Sequence, residues 1–88
     1  MSVTIKKNCV VVDVEDLDIY AAGSLKDALF SLFDKGKRKV SVDLAKVSRI
    51  TTPAVQVLMS AGKTFVDFNV VSINEQLAVE IKRLGVEL

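Results

Sequence analysis

An α/β domain is predicted, with a mixed, mostly parallel sheet of about four strands and helices packed on it. Three observations predict it. Apolar strand-like runs alternate with helix-period segments in the order β-β-α-β-α-β-α. The connections are short, with no linker, repeat or low-complexity segment. The helical segments carry recognisable start and stop residues. Strands that alternate with helices imply parallel crossovers, and the initial pair of strands makes the sheet mixed.

Each element has a local reason. Ser2 to Lys6 alternates around Val3 and Ile5, as an edge strand does. Asn8 is a turn residue. Cys9 to Val14 is β-branched and nearly continuous, the pattern of a strand buried on both faces. Asp18 is an N-cap. Ala22, Leu25, Leu29, Leu32 and Phe33 then recur at helical spacing up to the stop at Gly36. Phe30 lies off that stripe and reads as a residue lapped over the core ahead of the alternative, an exposed hot spot. Val40, Val42 and Leu44 alternate as a central strand, and Val47 and Ile50 anchor the connection into the next helix.

The second helix is expected to use Thr52 as N-cap and Pro53 as its first residue, where a missing N–H costs nothing. Val55, Leu58, Met59, Gly62 and Phe65 form its inner stripe. Phe68 to Ser72 is a strand, with the helix-to-strand boundary unplaced between Thr64 and Phe68. Asn74 caps a last helix with Leu77, Ile81 and Leu84 inward, stopped by Gly85. Val86 to Leu88 pack back or fray.

Composition narrows the function. The 88 residues make one domain, 1–88, with 50% hydrophobic and 26% charged residues, a folded composition. Net charge is +1, which supplies no reason to expect nucleic acid or an anionic membrane as partner. The cluster Lys35-Gly36-Lys37-Arg38-Lys39 reads as a solvated helix-to-strand turn ahead of the alternative, a phosphate-contact patch. The lone Cys9 excludes a disulfide framework and reads as a buried small hydrophobe. No apolar run spans a bilayer or forms a signal peptide, so a cytoplasmic location is expected, with no direct membrane insertion.

No histidine, paired cysteine or glycine-rich phosphate loop is present, which argues against an enzyme and against a cofactor or metal. Asp13, Glu15, Asp16 and Asp18 could be imagined as a metal site, but alternation along a strand scatters them over two faces.

What remains is the junction Val47-Ser48-Arg49-Ile50-Thr51-Thr52-Pro53-Ala54, where two hydroxyls meet a helix N-terminus that favours an anion or phosphate. Thr52 reads first as a structural N-cap and, compatibly with that, as the candidate phosphoacceptor or a direct partner contact. Thr51 and Ser48 are loop hydroxyls or alternative acceptors. Ala54, Val57 and Ala61 make a second stripe of small residues, either covered by neighbouring segments or open to a partner.

These residues resemble the STAS domain family, whose members include bacterial anti-sigma factor antagonists. Leu17-Asp18 with Ala22 and Leu25 looks like the family's first helix start. Val40-Ser41-Val42-Asp43-Leu44 through Thr51-Thr52-Pro53-Ala54 looks like its third strand and signature loop. Val70-Val71-Ser72 with Asn74, Leu77 and Leu84-Gly85 looks like its last strand and helix, in a short version of the fold. The family's loop runs Asp, Ser or Thr, a small residue that is Ser in phosphorylated antagonists, then Gly. Here those places hold Thr51, Thr52, Pro53 and Ala54, so the usual phosphoserine falls on Pro53, which has no hydroxyl. Thr52 matches the place before it, which is threonine in chemotaxis-linked and lipid-transport branches.

The resemblance implies signal transduction or transcription regulation by a module that binds a protein partner. That partner is an anti-sigma-type serine kinase or a chemosensory component. Docking would use Ser48, Thr51, Thr52, Pro53, Ala54, Val57 and Ala61, with Asp18 beside them. The alternatives are an accessory subunit bracing the ATPase of an ABC (lipid) transporter, and a structural dimer. The oligomeric state stays open.

Overall fold

The computed structural model describes residues 3–85. The expectation for Val86 to Leu88, and that for Ser2, lie outside them. β1 (Val3–Lys6) and β2 (Cys9–Val12) form an antiparallel hairpin that turns at Lys7 and Asn8. Lys7 takes a left-handed φ of 56°, the one positive φ among the described non-glycine residues. β3 (Asp16–Leu17) leads into α1 (Ile19–Asp34). β4 (Lys39–Leu44) and β5 (Arg49–Ile50) precede α2 (Thr52–Thr64). β6 (Asp67–Ile73) and α3 (Glu75–Arg83) complete the order.

The main sheet runs β1-β2-β4-β6, antiparallel at β1–β2 and parallel elsewhere. This is the mixed, mostly parallel sheet that the sequence predicts, with β4 inside it and β1 at an edge. Val10, Val12, Val40, Val42 and Leu44 are buried and join one cluster with residues of all three helices. Their alternates Cys9, Val11, Ser41 and Asp43 are half-buried. β2 is therefore not buried on both faces as its composition suggests. A β-branched run satisfies the strand backbone whichever face is covered, so composition alone misreads it. Cys9 is accordingly half-buried rather than interior.

The helices end as the chemistry requires. Asp18 accepts a hydrogen bond from Ala21 N at 2.9 Å, a cap contributing about 1 kcal/mol. Gly36, at φ 78°, and Gly85, at φ 72°, follow the ends of α1 and α3 in the left-handed region that glycine enters without a Cβ clash. α1 buries Ala21, Ala22, Leu25, Leu29 and Leu32. Phe33 is half-exposed, set edge-on to Phe65 with centroids 6.0 Å apart. α3 buries Leu77 and Ile81, while Leu84, expected inside, is exposed at its end.

α2 departs from expectation in its buried stripe. Ala54, Val55, Leu58 and Ala61 face inward, while Met59 and Gly62 are exposed. The buried face of the helix thus takes in the small residues Ala54 and Ala61 and leaves Met59 outside. Alanines at a helix–helix contact permit close approach of the backbones.

Two elements have no counterpart in the predicted order. β3 and β5 pair in parallel as a separate two-stranded sheet, Asp16 opposite Arg49 and Leu17 opposite Ile50. Each comprises two residues, too few to show a period.

Candidate functional site

The small β3–β5 sheet builds the site. Leu17 is followed by Asp18, the N-cap of α1. Ile50 is followed by Thr51, the N-cap of α2. Pairing Leu17 with Ile50 therefore sets the two helix starts side by side. Further bonds fix the register: Ser48 N and Arg49 N both donate to Glu15 O, at 2.7 and 3.2 Å. Thr51 N donates to Leu17 O at 3.3 Å, and the Thr51 hydroxyl donates to the same carbonyl at 2.9 Å.

The cap of α2 lies one residue earlier than the sequence suggests. Thr51 is the N-cap, its carbonyl accepting from Val55 N at 3.1 Å, and Thr52 is the first helical residue. Both threonines are chemically able to cap, and proline is tolerated throughout the first turn, so the sequence does not separate the two registers. Thr51 makes no side-chain cap bond because its hydroxyl is committed to Leu17. The first turn also lacks an acidic residue, so nothing from the side chains offsets the positive end of the helix dipole there.

The predicted site residues separate into two groups. Ala54 and Ala61 are buried in the core cluster, so these two members of the small-residue stripe are covered rather than open, which corrects their reading as partner contacts. Asp18, Ser48, Thr51 and Val57 are half-buried, the first three within the β3–β5 scaffold. Thr52 and Pro53 are exposed. The hydroxyl expected to be an ordinary cap is thus free of that role, and its neighbour holds the scaffold instead.

The structure adds residues to this surface that sequence reasoning missed. Ile19 and Tyr20, the first two residues of α1, are 62% and 83% exposed beside the α2 start. From Ile19 and Pro53 a groove of about 560 Å³ runs between α1 and α2. Lys26, Phe30 and Phe33 rim it on one side, and Gln56, Ser60 and Thr64 on the other. Phe30 is 56% exposed on this rim, so it does not lap over the core. Lys26 Nζ stands 5.7 Å from its ring centroid instead. The available signal was the run Ile19-Tyr20 directly after a cap, where two large apolar residues fall outside the inner stripe.

Among the described residues no three His, Cys, Asp or Glu side chains converge as metal ligands. The acidic run is dispersed: Asp18 caps α1, and Asp13 accepts from Lys46 Nζ at 2.7 Å. That hydrogen bond, with the lysine's charge, holds the Asp13 carboxyl below its ordinary value. The same bond raises Lys46. The pair ties the end of β2 to the loop before β5. A lowered carboxylate adds stability above its unfolded-state value and loses it as pH falls through the folded one. A raised lysine adds stability below its unfolded-state value and loses it as pH rises through the folded one. Both groups are fully solvated, so the effect is small. Asp13→Asn is expected to lower the melting temperature slightly at neutral pH. The two proteins should converge in acid below the carboxylate range. Curves that stay parallel there would show that the pair is not responsible.

Among the described residues no helix is long and apolar enough to cross a membrane. The family model described as "Mlab, STAS domain" matches residues 1–87. Two solved structures share the fold. One is an anti-sigma factor antagonist from Mycobacterium paratuberculosis, 18% identical, with a TM-score of 0.71, covering 94% of this chain and 74% of that one. The other is the anti-sigma factor antagonist SpoIIAA in its unphosphorylated form, 10% identical, with a TM-score of 0.70 and coverage of 93% and 76%. No curated protein matches the chain significantly.

Proposed function

The chain belongs to the STAS domain family, and from that premise we propose that it is a non-enzymatic regulatory module that docks a protein partner on the paired helix starts. The docking surface comprises Thr52 and Pro53 with Ile19 and Tyr20 beside them. The partner is an anti-sigma-type serine kinase or a chemosensory component, and the setting is the cytoplasm.

One observation carries this reading: the division of roles between adjacent threonines. Thr51 is turned inward to Leu17 O, while Thr52 is exposed at a helix start that has no side-chain cap bond. A phosphate on Thr52 would meet the positive end of α2, a favourable place for its charge. It would also set a doubly charged group beside Ile19 and Tyr20, where an apolar partner surface would have to desolvate it. Phosphorylation at Thr52 would therefore release the partner rather than recruit it.

The test is calorimetric titration of the purified partner, with intact-mass measurement after incubation with kinase and ATP. Thr52→Glu is expected to weaken binding at least about tenfold, equivalent to about 1.4 kcal/mol. Thr52→Val should leave docking nearly unchanged and abolish the phosphate adduct. A Thr52→Glu protein that binds like wild type places the docking surface elsewhere. An adduct that persists in Thr52→Val places the modification elsewhere.

The exposed Thr52, with no cap to make, also suits a second reading, an accessory subunit bracing the ATPase of an ABC lipid transporter, with Thr52 as an unmodified contact. Stable co-elution with a transport ATPase, with no phosphate adduct under kinase treatment, selects it.

A further inference from the structure

We propose that the end of the molecule opposite Thr52 is an electrostatic docking pole that adsorbs, without inserting, to anionic phospholipid headgroups. The topology assembles it from segments far apart in the chain. β2, β4 and β6 are parallel and begin at one end, with Cys9 opposite Ser41 and Lys39 opposite Asp67. The β1–β2 hairpin turns at that end and contributes Lys6 and Lys7. The turn from α1 into β4 contributes Lys35, Lys37, Arg38 and Lys39, and the last turn of α2 contributes Lys63.

All seven cations are exposed. The carboxylates on the same segments are Asp34 and Asp67, and Asp67 accepts from Asn69 at 2.8 Å. Among the described residues the ion pairs are Lys46–Asp13 and Arg83–Glu80, and neither includes any of these seven cations.

The charge balance reverses where the strands finish. Asp13, Glu15, Asp16, Asp18, Asp43 and Glu75 stand there against Lys46 and Arg49. The net charge of +1 therefore conceals a polar distribution. A six-residue strand such as β4 spans roughly 20 Å. That exceeds two Debye lengths of about 8 Å at physiological salt, so the acidic end does not neutralise the basic one.

A lipid surface fits this pole better than a nucleic acid does. Six of the seven cations are lysines, point charges suited to a plane of headgroups rather than bidentate forks for base edges. They come from three separate turns and do not form one helix face to enter a groove. Bare apolar side chains stand among them: Val66, in the α2–β6 turn, is 78% exposed, and Phe33, in the last turn of α1, is 50% exposed. Basic and apolar groups together are what interfacial adsorption uses. Adsorption by this end would leave the Thr52 surface facing away from the bilayer.

The test is co-sedimentation of the intact protein with phosphatidylcholine vesicles, with and without about 30% phosphatidylglycerol to give a strongly anionic surface. Binding is expected only to the anionic vesicles, and loss is expected at about 0.5 M salt, where screening is strong. Each basic residue near such a surface contributes roughly fivefold. The combined variant Lys37→Glu, Arg38→Glu, Lys39→Glu should therefore lose well over tenfold. The combination Lys35→Glu, Lys63→Glu, confined to helix ends, should lose at least tenfold with the fold verified by circular dichroism. Lys26→Glu, on the α1 rim of the interhelical groove and away from this pole, should bind vesicles nearly as wild type. Equal partition onto neutral vesicles overturns the proposal, as do charge-reversed proteins that still bind. Salt-sensitive binding to duplex DNA without binding to vesicles also overturns it and assigns the pole to nucleic acid.

Discussion

Leu17→Ala is expected to destabilise the protein by about 3–5 kcal/mol, the range for emptying a fully buried leucine site that cannot collapse. Leu17 is wholly buried, although it belongs to a strand of only two residues. Its side chain joins the cluster that includes Ile50, Leu25 and Leu58. Its carbonyl accepts from both the backbone and the hydroxyl of Thr51. The residue thus ties the β3–β5 sheet to the core and holds both helix starts. A domain of this size has roughly 5–10 kcal/mol in all, so the substitution removes about a third of the stability or more.

Urea unfolding reads the loss directly as a fall in midpoint with an unchanged slope. Thr51→Val is the informative companion. It removes the hydroxyl donor but leaves Thr51 N on Leu17 O, so about 1 kcal/mol is expected. A loss below about 1 kcal/mol for Leu17→Ala would mean that the small sheet is not coupled to the core and does not hold the two helix starts together.

The legibility of each feature in the sequence depends on the range of its signal. Asp18, Gly36, Asn74 and Gly85 act within a few residues of their own positions, and each stands where capping chemistry predicts. The three helices and four main strands carry enough residues to show a period. β3 and β5 do not, and they become strands only because burial of Leu17 and Ile50 brings them together. The cap at Thr51 differs by one residue from the expected Thr52 for a related reason. The Thr51 hydroxyl is taken by a carbonyl 34 residues away, a competitor invisible to local reasoning. Ile19, Tyr20 and the interhelical groove depend on how α1 and α2 face one another. The burial of Ala54 and Ala61 is likewise set by tertiary packing. The segregation of charge is hidden behind a near-zero sum, since only the strand register shows that Lys6, Lys39 and Lys63 share one end.

Asn74 supplies the sharpest test of long-range architecture, because its amide performs two separable tasks. Its Oδ1 accepts from Leu77 N at 2.9 Å and caps α3. Its Nδ2 donates to Ala45 O at 3.1 Å and to Val47 O at 2.6 Å, in the loop that leads to β5. Aspartate is as good a cap as asparagine and also suits the helix dipole. If capping were the whole role, Asn74→Asp would be neutral or stabilising. With the bridge included, the substitution removes both donors and sets a carboxylate against two carbonyl oxygens.

Asn74→Asp is therefore expected to cost about 2–3 kcal/mol at neutral pH, counting roughly 1 kcal/mol for each lost bond plus the repulsion. Asn74→Ala should cost a similar total, about 1 kcal/mol from the cap and the rest from the bridge. Acid distinguishes the two variants. Protonation restores one O–H donor to the aspartate, so its deficit relative to wild type should shrink as pH falls through the carboxylate range, while that of the alanine variant stays constant. Chemical unfolding at two pH values measures this. A neutral Asn74→Asp would reduce the residue to a cap and leave the loop before β5 without its anchor to α3.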